Sequence, residues 1–293
     1  LLSVFIVSSF MNQGNTDMTI EMGSATFPLV YMSQGGEKIN CLHGYLSEMQ
    51  GSTMRDTITP LGTGRNLSIT VDKMGSHIRS MRFEVRSVDG KRLVEATDIS
   101  QYSEEGDQIR ASFTVKDLIE SNTEYNLILL LEDGEGRTIR YYTRIIQADE
   151  YHTGDKLKFV KDFHRKTFDK EEAQDLTMYL ESNAEGNNST YSHVDIHSSF
   201  HQITWGDLAV KEELEPVYFI RELGPSTASI SVSFVVSTGT GDAKYYYNVV
   251  EYFRLRYTQQ RIYLLDYERD MHQIFSLEVE SAFANNKMML GIY

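Results

Sequence analysis

Ala228-Ser-Ile-Ser-Val-Ser-Phe-Val-Val236 is the clearest strand signal in the chain, and it decides the fold of the C-terminal half. Apolar residues alternate with serines through most of it, which is the period of a strand with one buried face. Gly239-Thr-Gly-Asp242 follows as a hairpin turn, and residues 244–257 return as the next strand. Residues 217–220 and 262–266 are further strands. The sequence therefore predicts an antiparallel sheet here.

Two helices are predicted before this sheet. Leu157, Val160 and Phe163 fall at helical spacing. Asp169 suits the N-cap of a second helix, with Glu172 at the capping-box position. Helices followed by an antiparallel sheet predict an α+β domain over residues 150–293, which we expect to be truncated at its C-terminus.

The preceding region, residues 21–149, is predicted to be a β-sandwich domain. Short alternating segments recur between turn signals, as in residues 78–88, 109–115 and 125–131. The alternation slips near Ser80, where we expect a bulge. Residues 37–60 are less regular, and residues 42–45 and 54–57 within them are predicted to form loops folded against the sandwich.

One segment of this region has a family resemblance. Asp117-Leu-Ile-Glu-Ser-Asn-Thr-Glu-Tyr-Asn-Leu-Ile-Leu-Leu-Leu131 resembles the late strands of a fibronectin type III module, through Leu118, Thr123 and Tyr125. The resemblance implies an immunoglobulin-like sandwich in which the hydroxyl of Tyr125 hydrogen-bonds to the preceding turn. It also implies a spacer or binding role and no catalysis. The usual turn proline and early-strand tryptophan of that family are missing here.

The N-terminal run Leu1-Leu-Ser-Val-Phe-Ile-Val-Ser-Ser-Phe-Met11 is apolar, and the first basic residue after it is Lys38. Translocated flanks tolerate a lack of Lys and Arg, whereas cytoplasmic flanks are rich in them. We therefore predict that residues 1–20 are the end of a transmembrane or signal segment with a linker, which places the rest outside the cytoplasm. The alternative is a first buried strand.

Composition limits the partners. The chain has 293 residues and a formal net charge of −14, so nucleic acid and anionic membrane surfaces are poorly matched to it. We expect membrane contact through the N-terminal apolar segment only. Cys41 is the single cysteine, which excludes an intrachain disulfide and suits a bacterial envelope protein. No cofactor is predicted.

Three histidines are the sharpest candidate site. His193, His197 and His201 are four residues apart, and zinc binds three histidines in some enzymes. On an extended strand such residues are about 13 Å from each other, too far to share one ion. We therefore predict no metal, and leave open a ligand-facing polar strand or ordinary packed and exposed histidines.

Aromatic residues supply the other candidates. Trp205 with Asp207 could form a stacking turn for a sugar, or Trp205 could be a buried anchor between helices and sheet. Tyr246 and Tyr252 belong to a tyrosine cluster that either forms a flat platform for a peptide or glycan, or half-buried strand positions.

No catalytic residue is predicted, because no nucleophile, phosphate-binding or dinucleotide motif is present. The sequence predicts an extracytoplasmic, membrane-anchored or secreted bacterial envelope protein that acts as a stalk plus a binding module for a protein or glycan. The alternatives are an enzyme acting on an envelope or extracellular glycan, and a sensor ectodomain. A deep pocket lined by His197, Trp205 and acids would favour the enzyme, whereas a shallow tyrosine-lined face would favour binding.

Overall fold

The structure is a computed structural model that describes residues 23–239 and 244–274 and two further short strands. The apolar run Leu1–Met11, and with it the predicted membrane or signal segment, lies outside these residues. Most of the chain forms one large mixed β-sheet, with 51% strand and 11% helix, which confirms the predicted β-rich fold. None of the helices in the described ranges has the length and apolar character needed to cross a bilayer.

Ten strands make up the N-terminal half. They are β1 (Ala25–Gln34), β2 (Glu37–Tyr45), β3 (Ile58–Leu61), β4 (Asn66–Asp72), β5 (Ile78–Ser87), β6 (Leu93–Asp98), β7 (Tyr102–Glu105), β8 (Gln108–Thr114), β9 (Glu124–Asp133) and β10 (Thr138–Gln147). Their pairing order is β2-β1-β4-β8-β7 along one path and β6-β5-β9-β10-β3 along another. The paths meet where Arg140 on β10 pairs with Tyr45 on β2.

Side chains from the two paths pack together in a common core. Phe83 on β5 stacks on Phe113 on β8, with ring centroids 4.5 Å apart. The hydroxyl of Tyr141 on β10 donates to the carbonyl oxygen of Pro28 on β1 at 2.9 Å. Alternating apolar residues produce this arrangement, because every second side chain of a strand points to the same face.

Two local details of the sequence analysis agree with the structure. The register of β5 against β9 shifts between Ile78 and Ser80, which confirms the bulge. The hydroxyl of Tyr125 accepts a hydrogen bond from the backbone N–H of Glu120 at 3.1 Å, the contact that the fibronectin resemblance implies.

The prediction that residues 42–45 form a loop is wrong, because they belong to Glu37–Tyr45, which is strand β2 in the interior of the sheet order. Two residues in β2 interrupt the pattern that is typical of a strand. Asn40 has a positive φ of 47° and is buried, although asparagine is depleted in strands. At Gly44, an added Cβ would lie only 2.4 Å from the side chain of Ile139, so a larger residue would not fit.

The C-terminal half begins with helices and continues as a sheet. Its elements are α1 (Thr153–Thr167), a 3₁₀-helix (Glu172–Tyr179), β11 (His193–Asp195), α2 (Phe200–Ile203), β12 (Lys211–Glu212), β13 (Val217–Leu223), β14 (Thr227–Thr238), β15 (Tyr245–Tyr257), β16 (Ile262–Gln273), β17 (Phe283–Ala284) and β18 (Lys287–Met288). The predicted second helix is thus a 3₁₀-helix, and Asp169 accepts hydrogen bonds from the N–H groups of Glu171 and Glu172 as its cap.

The C-terminal sheet has the order β11-β16-β15-β14-β13, and α1 covers one of its faces. Leu157, Val160 and Phe163 point from α1 into the core, and the Phe163 ring meets Phe253 edge to face at 5.3 Å. We call this covered side the inner face and the opposite side the outer face.

The two halves are joined through β2 and β13, which run parallel and pair at Ile39 and Tyr218. Next to this pair, Asn40 Oδ1 accepts from the N–H of Ile220 at 2.8 Å. Its Nδ2 group donates to the carbonyl of Ile58 and to Thr59 Oγ1. A buried side chain with all its hydrogen bonds made is stable in the interior. One asparagine therefore ties the two halves together.

Candidate functional site

A small cavity lies beside Trp205, at the end of α1 and next to α2. It has a volume of about 320 Å³, and its lining includes Phe168, Lys170, Trp205 and Asp207. The backbone reverses here because Trp205 and Gly206 both have positive φ. Ser199 caps α2 by accepting from the N–H of Gln202. The cavity therefore collects two of the predicted site residues, Trp205 and Asp207.

Trp205 itself is a buried anchor. Its side chain is 2% exposed, and its indole N–H donates to Thr167 Oγ1 on α1 at 3.4 Å. On the other side, the Arg269 guanidinium lies 3.6 Å from the indole ring centre. Of the two roles that the sequence left open, the packing favours the anchor, because the indole is buried between Thr167 and Arg269.

Arg269 is fully buried on the inner face of β16. It donates to the carbonyls of Ile203 and Gln202, at 2.8 and 2.7 Å, at the end of α2. Within the described ranges it forms no ion pair with a carboxylate within 4 Å. Backbone carbonyls and an aromatic ring stabilise its charge instead. Arg269 thus holds α2 and Trp205 against the sheet.

A second buried polar cluster lies on the same inner face. His164 Nδ1 lies 2.7 Å from Glu251 Oε2, and the hydroxyl of Tyr267 donates to Glu251 Oε1 at 2.9 Å. His164 Nε2 lies 3.5 Å from Glu212 Oε2, close enough for electrostatic attraction but too far for a strong hydrogen bond. These contacts connect α1 to β12, β15 and β16.

The pKa values of this cluster follow from burial and charge. Burial opposes the charged form of His164, but Glu251 and Glu212 outweigh it and raise the pKa of His164 to about 9. Burial, followed by the charge of Glu251, raises the pKa of Tyr267 well above its ordinary value. At neutral pH His164 is therefore an imidazolium and Tyr267 a neutral phenol.

The residues of this cluster are of types that occur in catalytic sites, but their side chains are buried from solvent. The side chains of His164 and Glu251 are 3% and 0% exposed, and the rings of Phe168 and Phe234 pack around His164. A general base must reach the proton that it removes. His164 therefore stabilises the packing of α1 on the sheet and contacts no solvent-filled cavity.

The outer face of the C-terminal sheet carries the remaining candidates. Tyr252 on β15 pairs with Ser231 on β14 and with Glu268 on β16, and Glu268 pairs with Asp195 on β11. Ser231 in turn pairs with Phe219 on β13. Side chains in one such cross-strand row share a face. In this row Ser231 is buried, Phe219 and Tyr252 are half-buried, and Glu268 is exposed.

The predicted histidines do not converge. His193 lies on the outer face, where its Nδ1 atom is 2.7 Å from Asp270 Oδ1, and this hydrogen bond raises its pKa. His197 follows β11 and contacts Asn183. His201 is exposed on α2. The described residues contain no group of three His, Cys, Asp or Glu side chains arranged to hold a metal ion.

The two predicted tyrosines lie on the same face of the sheet, but they are far from each other along the strand. Tyr246 and Tyr252 are six residues apart on β15, so their side chains are about 20 Å from each other. Tyr246 is 39% exposed, with the Lys244 ammonium 4.8 Å from its ring centre. Tyr252 is half-buried, and its hydroxyl donates to Ser229 Oγ at 3.1 Å.

Three buried residues were missed at the sequence level: His164, Glu251 and Arg269. His164 follows Leu157 by seven positions, so helical periodicity places it on the buried side of α1. Glu251 occupies the alternating position between Val249 and Phe253. The sequence pattern therefore predicts that His164 and Glu251 are buried. It does not predict that they contact each other, because they are far apart in sequence.

Comparisons with known proteins add little. No protein-family model matches the chain, and no curated protein matches it in sequence. Among solved structures, the sporulation control protein Spo0M of Bacillus subtilis is similar at 8% identity and a TM-score of 0.23. The match covers 84% of this chain and 91% of that one. A likeness at this TM-score supports no statement about fold or function.

Proposed function

We propose that this chain is a binding module of an extracytoplasmic, membrane-anchored or secreted bacterial envelope protein, and that the outer face of the C-terminal sheet contacts a protein partner. The partial exposure of apolar and aromatic side chains on that face carries the proposal. These side chains include Phe219, Val250 and Tyr252. Tyrosine and arginine are enriched at the energetic centres of protein interfaces.

The outer face carries charges of both signs. Arg254 pairs in register with Asp266 on β16, and Arg221 forms an ion pair with Asp56. Arg256 on β15 and Glu268 on β16 are exposed. Complementary charge fixes the orientation of a partner and rejects mismatched ones. We infer a partner that presents an acidic residue opposite Arg256 and a basic residue opposite Glu268.

The enzyme alternative has less support. Cleavage of a glycosidic bond uses two carboxylates on either side of the bond. The lining of the cavity at Trp205 contains one acid, Asp207, and does not contain His197. The buried pair of His164 and Glu251 cannot reach a substrate. These observations favour a binding role over glycan hydrolysis.

We further propose a two-domain layout, in which residues 21–149 form a fibronectin III-like sandwich that acts as a stalk. The stacking of Phe83 on Phe113 across the core supports two facing sheets. The contact between Tyr125 and the N–H of Glu120 supports the family resemblance.

Site-specific photo-crosslinking in the source cells tests the contact surface. A photoreactive residue at Tyr252 or Glu268 is expected to give one discrete crosslinked product, whose partner is then purified. The same residue at Lys158, which is exposed on α1 at the covered side, is the matched control. Binding of the purified partner is expected to weaken by tenfold or more, on the order of a hot-spot loss, in Tyr252→Ala.

The proposed contact surface would be refuted if the photoreactive residue at Lys158 gave the same crosslinked products. It would also be refuted if neither Tyr252 nor Glu268 gave a product. A product of twice the chain mass would show that the occupant is a second copy, which would refute a different protein as partner. Placement outside the cytoplasm has its own test. Protease added to intact cells should degrade the chain, as detected by an antibody against residues 23–274, and protection until lysis would refute that placement.

A further inference from the structure

A polar cleft in the N-terminal half is separate from all the surfaces above. It has a volume of about 590 Å³ and opens beside the turn between β1 and β2, over strands β4 and β8. This size is typical of small-molecule sites. Its lining is dominated by hydroxyl and amide side chains: Ser33, Gln34, Asn66, Ser68, Thr70 and Ser112.

The charge of the cleft is opposite to that of the chain. Lys38 and Arg110 are the only charged residues in its described lining, although the formal net charge of the protein is −14. A local positive field attracts anions, even in a protein whose overall charge is negative. The lining therefore favours a ligand with negative charge.

Both cations remain available to a ligand. Lys38 forms no ion pair with another described residue, and its ammonium lies 4.9 Å from the ring centre of Tyr31. Arg110 contacts Glu105 at 3.4 Å, and this carboxylate is 81% exposed, so the pair is weak in water. A bound anion could replace that contact at small cost.

Strand register holds the polar groups in adjacent rows. Ser33 pairs with Lys38, and Thr70 pairs with Arg110. Ser68 and Ser112 also pair, and their hydroxyls are 2.8 Å apart. The side chains of Ser33 and Gln34 hydrogen-bond to no other described residue. Hydroxyl and amide groups both donate and accept, which matches the hydroxyls of a sugar or polyol.

We propose that this cleft binds a saccharide or polyol chain that carries negative charge, as a uronate or as a polyol phosphate. Lys38 and Arg110 pair with the anionic groups, and the serine and amide side chains hydrogen-bond to the hydroxyls. The proposal goes beyond the protein-binding surface above, because it concerns the other half of the chain.

Isothermal titration of the whole protein at low salt tests it. The probes are an oligogalacturonate, an oligomeric glycerol phosphate, inorganic phosphate and neutral maltohexaose. We expect saturable binding of at least one of the first two, and the stronger of them identifies the source of the charge. Arg110→Gln and Lys38→Gln should each weaken that binding about tenfold. Added salt should weaken it as well.

Arg79→Gln is the matched control. Arg79 is 52% exposed on β5, away from the cleft, and its substitution should leave binding unchanged. Thermal unfolding of each variant shows whether it is folded. The proposal would be overturned if neither anionic chain bound, or if maltohexaose or inorganic phosphate alone bound equally well. It would also be overturned if both cleft variants bound as tightly as the wild type. The crosslinks at Tyr252 should persist in Lys38→Gln, so the two proposals fail separately.

Discussion

His164 on α1 and Glu251 on β15 form an ion pair in the interior, with Nδ1 and Oε2 2.7 Å apart. The two residues are 87 positions apart in sequence. Both side chains are buried, so the strength of this contact depends on the protonation of His164 rather than on salt.

The first prediction concerns pH. The pKa of His164 is raised to about 9, so its charge stabilises the fold fully below the unfolded value of about 6.5, and this stability is lost as pH rises through 9. We expect the contribution of His164 to the free energy of unfolding to fall by about 3 kcal/mol between about pH 6.5 and pH 10. Lys156, whose pKa burial lowers to about 8, acts with the opposite sign in this window. The difference between wild type and His164→Gln in urea unfolding therefore measures the contribution of His164.

His164→Gln should remove that part of the pH dependence, whereas His201→Gln, a change on the exposed surface of α2, should retain it. An unchanged slope in His164→Gln would show that other groups cause the loss.

The second prediction concerns Arg269. Arg269→Met keeps much of the side-chain volume but leaves the carbonyls of Gln202 and Ile203 without their donor. We expect a loss of about 3 kcal/mol in the free energy of unfolding. Trp205 is the only tryptophan, so its fluorescence during unfolding reports the change directly.

The comparison variant is Arg254→Met on the exposed side of β15, which should change stability by less than about 0.5 kcal/mol. If both methionine variants were equally stable, Arg269 would not be holding α2 on the sheet.

The third prediction concerns Gly44. A Cβ at this position would lie 2.4 Å from Ile139 Cγ2 and 3.0 Å from the Tyr141 ring. We expect Gly44→Ala to lower the unfolding free energy by about 2 kcal/mol through overpacking. Thermal unfolding measures the effect. Gly62→Ala, where nothing lies within 4 Å, should be close to neutral, and a matching loss there would point to backbone effects instead.

The fourth prediction concerns Asn40. Asn40→Ala removes three buried hydrogen bonds and places alanine at a φ of 47°. We expect a loss of about 4 kcal/mol in unfolding free energy. Since the bond from the Ile220 N–H joins the two halves, we also expect unfolding to separate into two steps, visible by circular dichroism and calorimetry.

Asn248→Ala, an exposed change on β15, is the control for Asn40→Ala. A single sharp transition in Asn40→Ala would mean that the halves are coupled by other contacts.

The sequence predicted most strands because burial repeats locally. Residues 228–236 alternate because the apolar side chains of β14 face α1 and most of the intervening side chains on the opposite face are serines. Strand β2 was missed because Asn40 contradicts strand preference. The hydrogen-bond partners of Asn40 lie 18 to 180 positions away in sequence. A local sequence pattern therefore cannot predict the hydrogen bonds that make its burial favourable.

The candidate site shows the same limit. The aromatic character of Trp205 and Tyr252 was visible, but which face each occupies depends on register between distant strands. The histidine spacing left a ligand-facing polar strand or ordinary histidines open, and the structure separates the three side chains because His193 lies on β11 while His201 lies on α2.

The parallel contact between β2 and β13 has a practical consequence for dissecting the protein. A fragment cut after residue 149 would lose the Ile220 N–H that Asn40 accepts, and the Arg221 carbonyl to which Arg144 donates. It would also turn β2 into a bare edge strand, and exposed edges recruit other chains into aggregates. The two halves must therefore be expressed together.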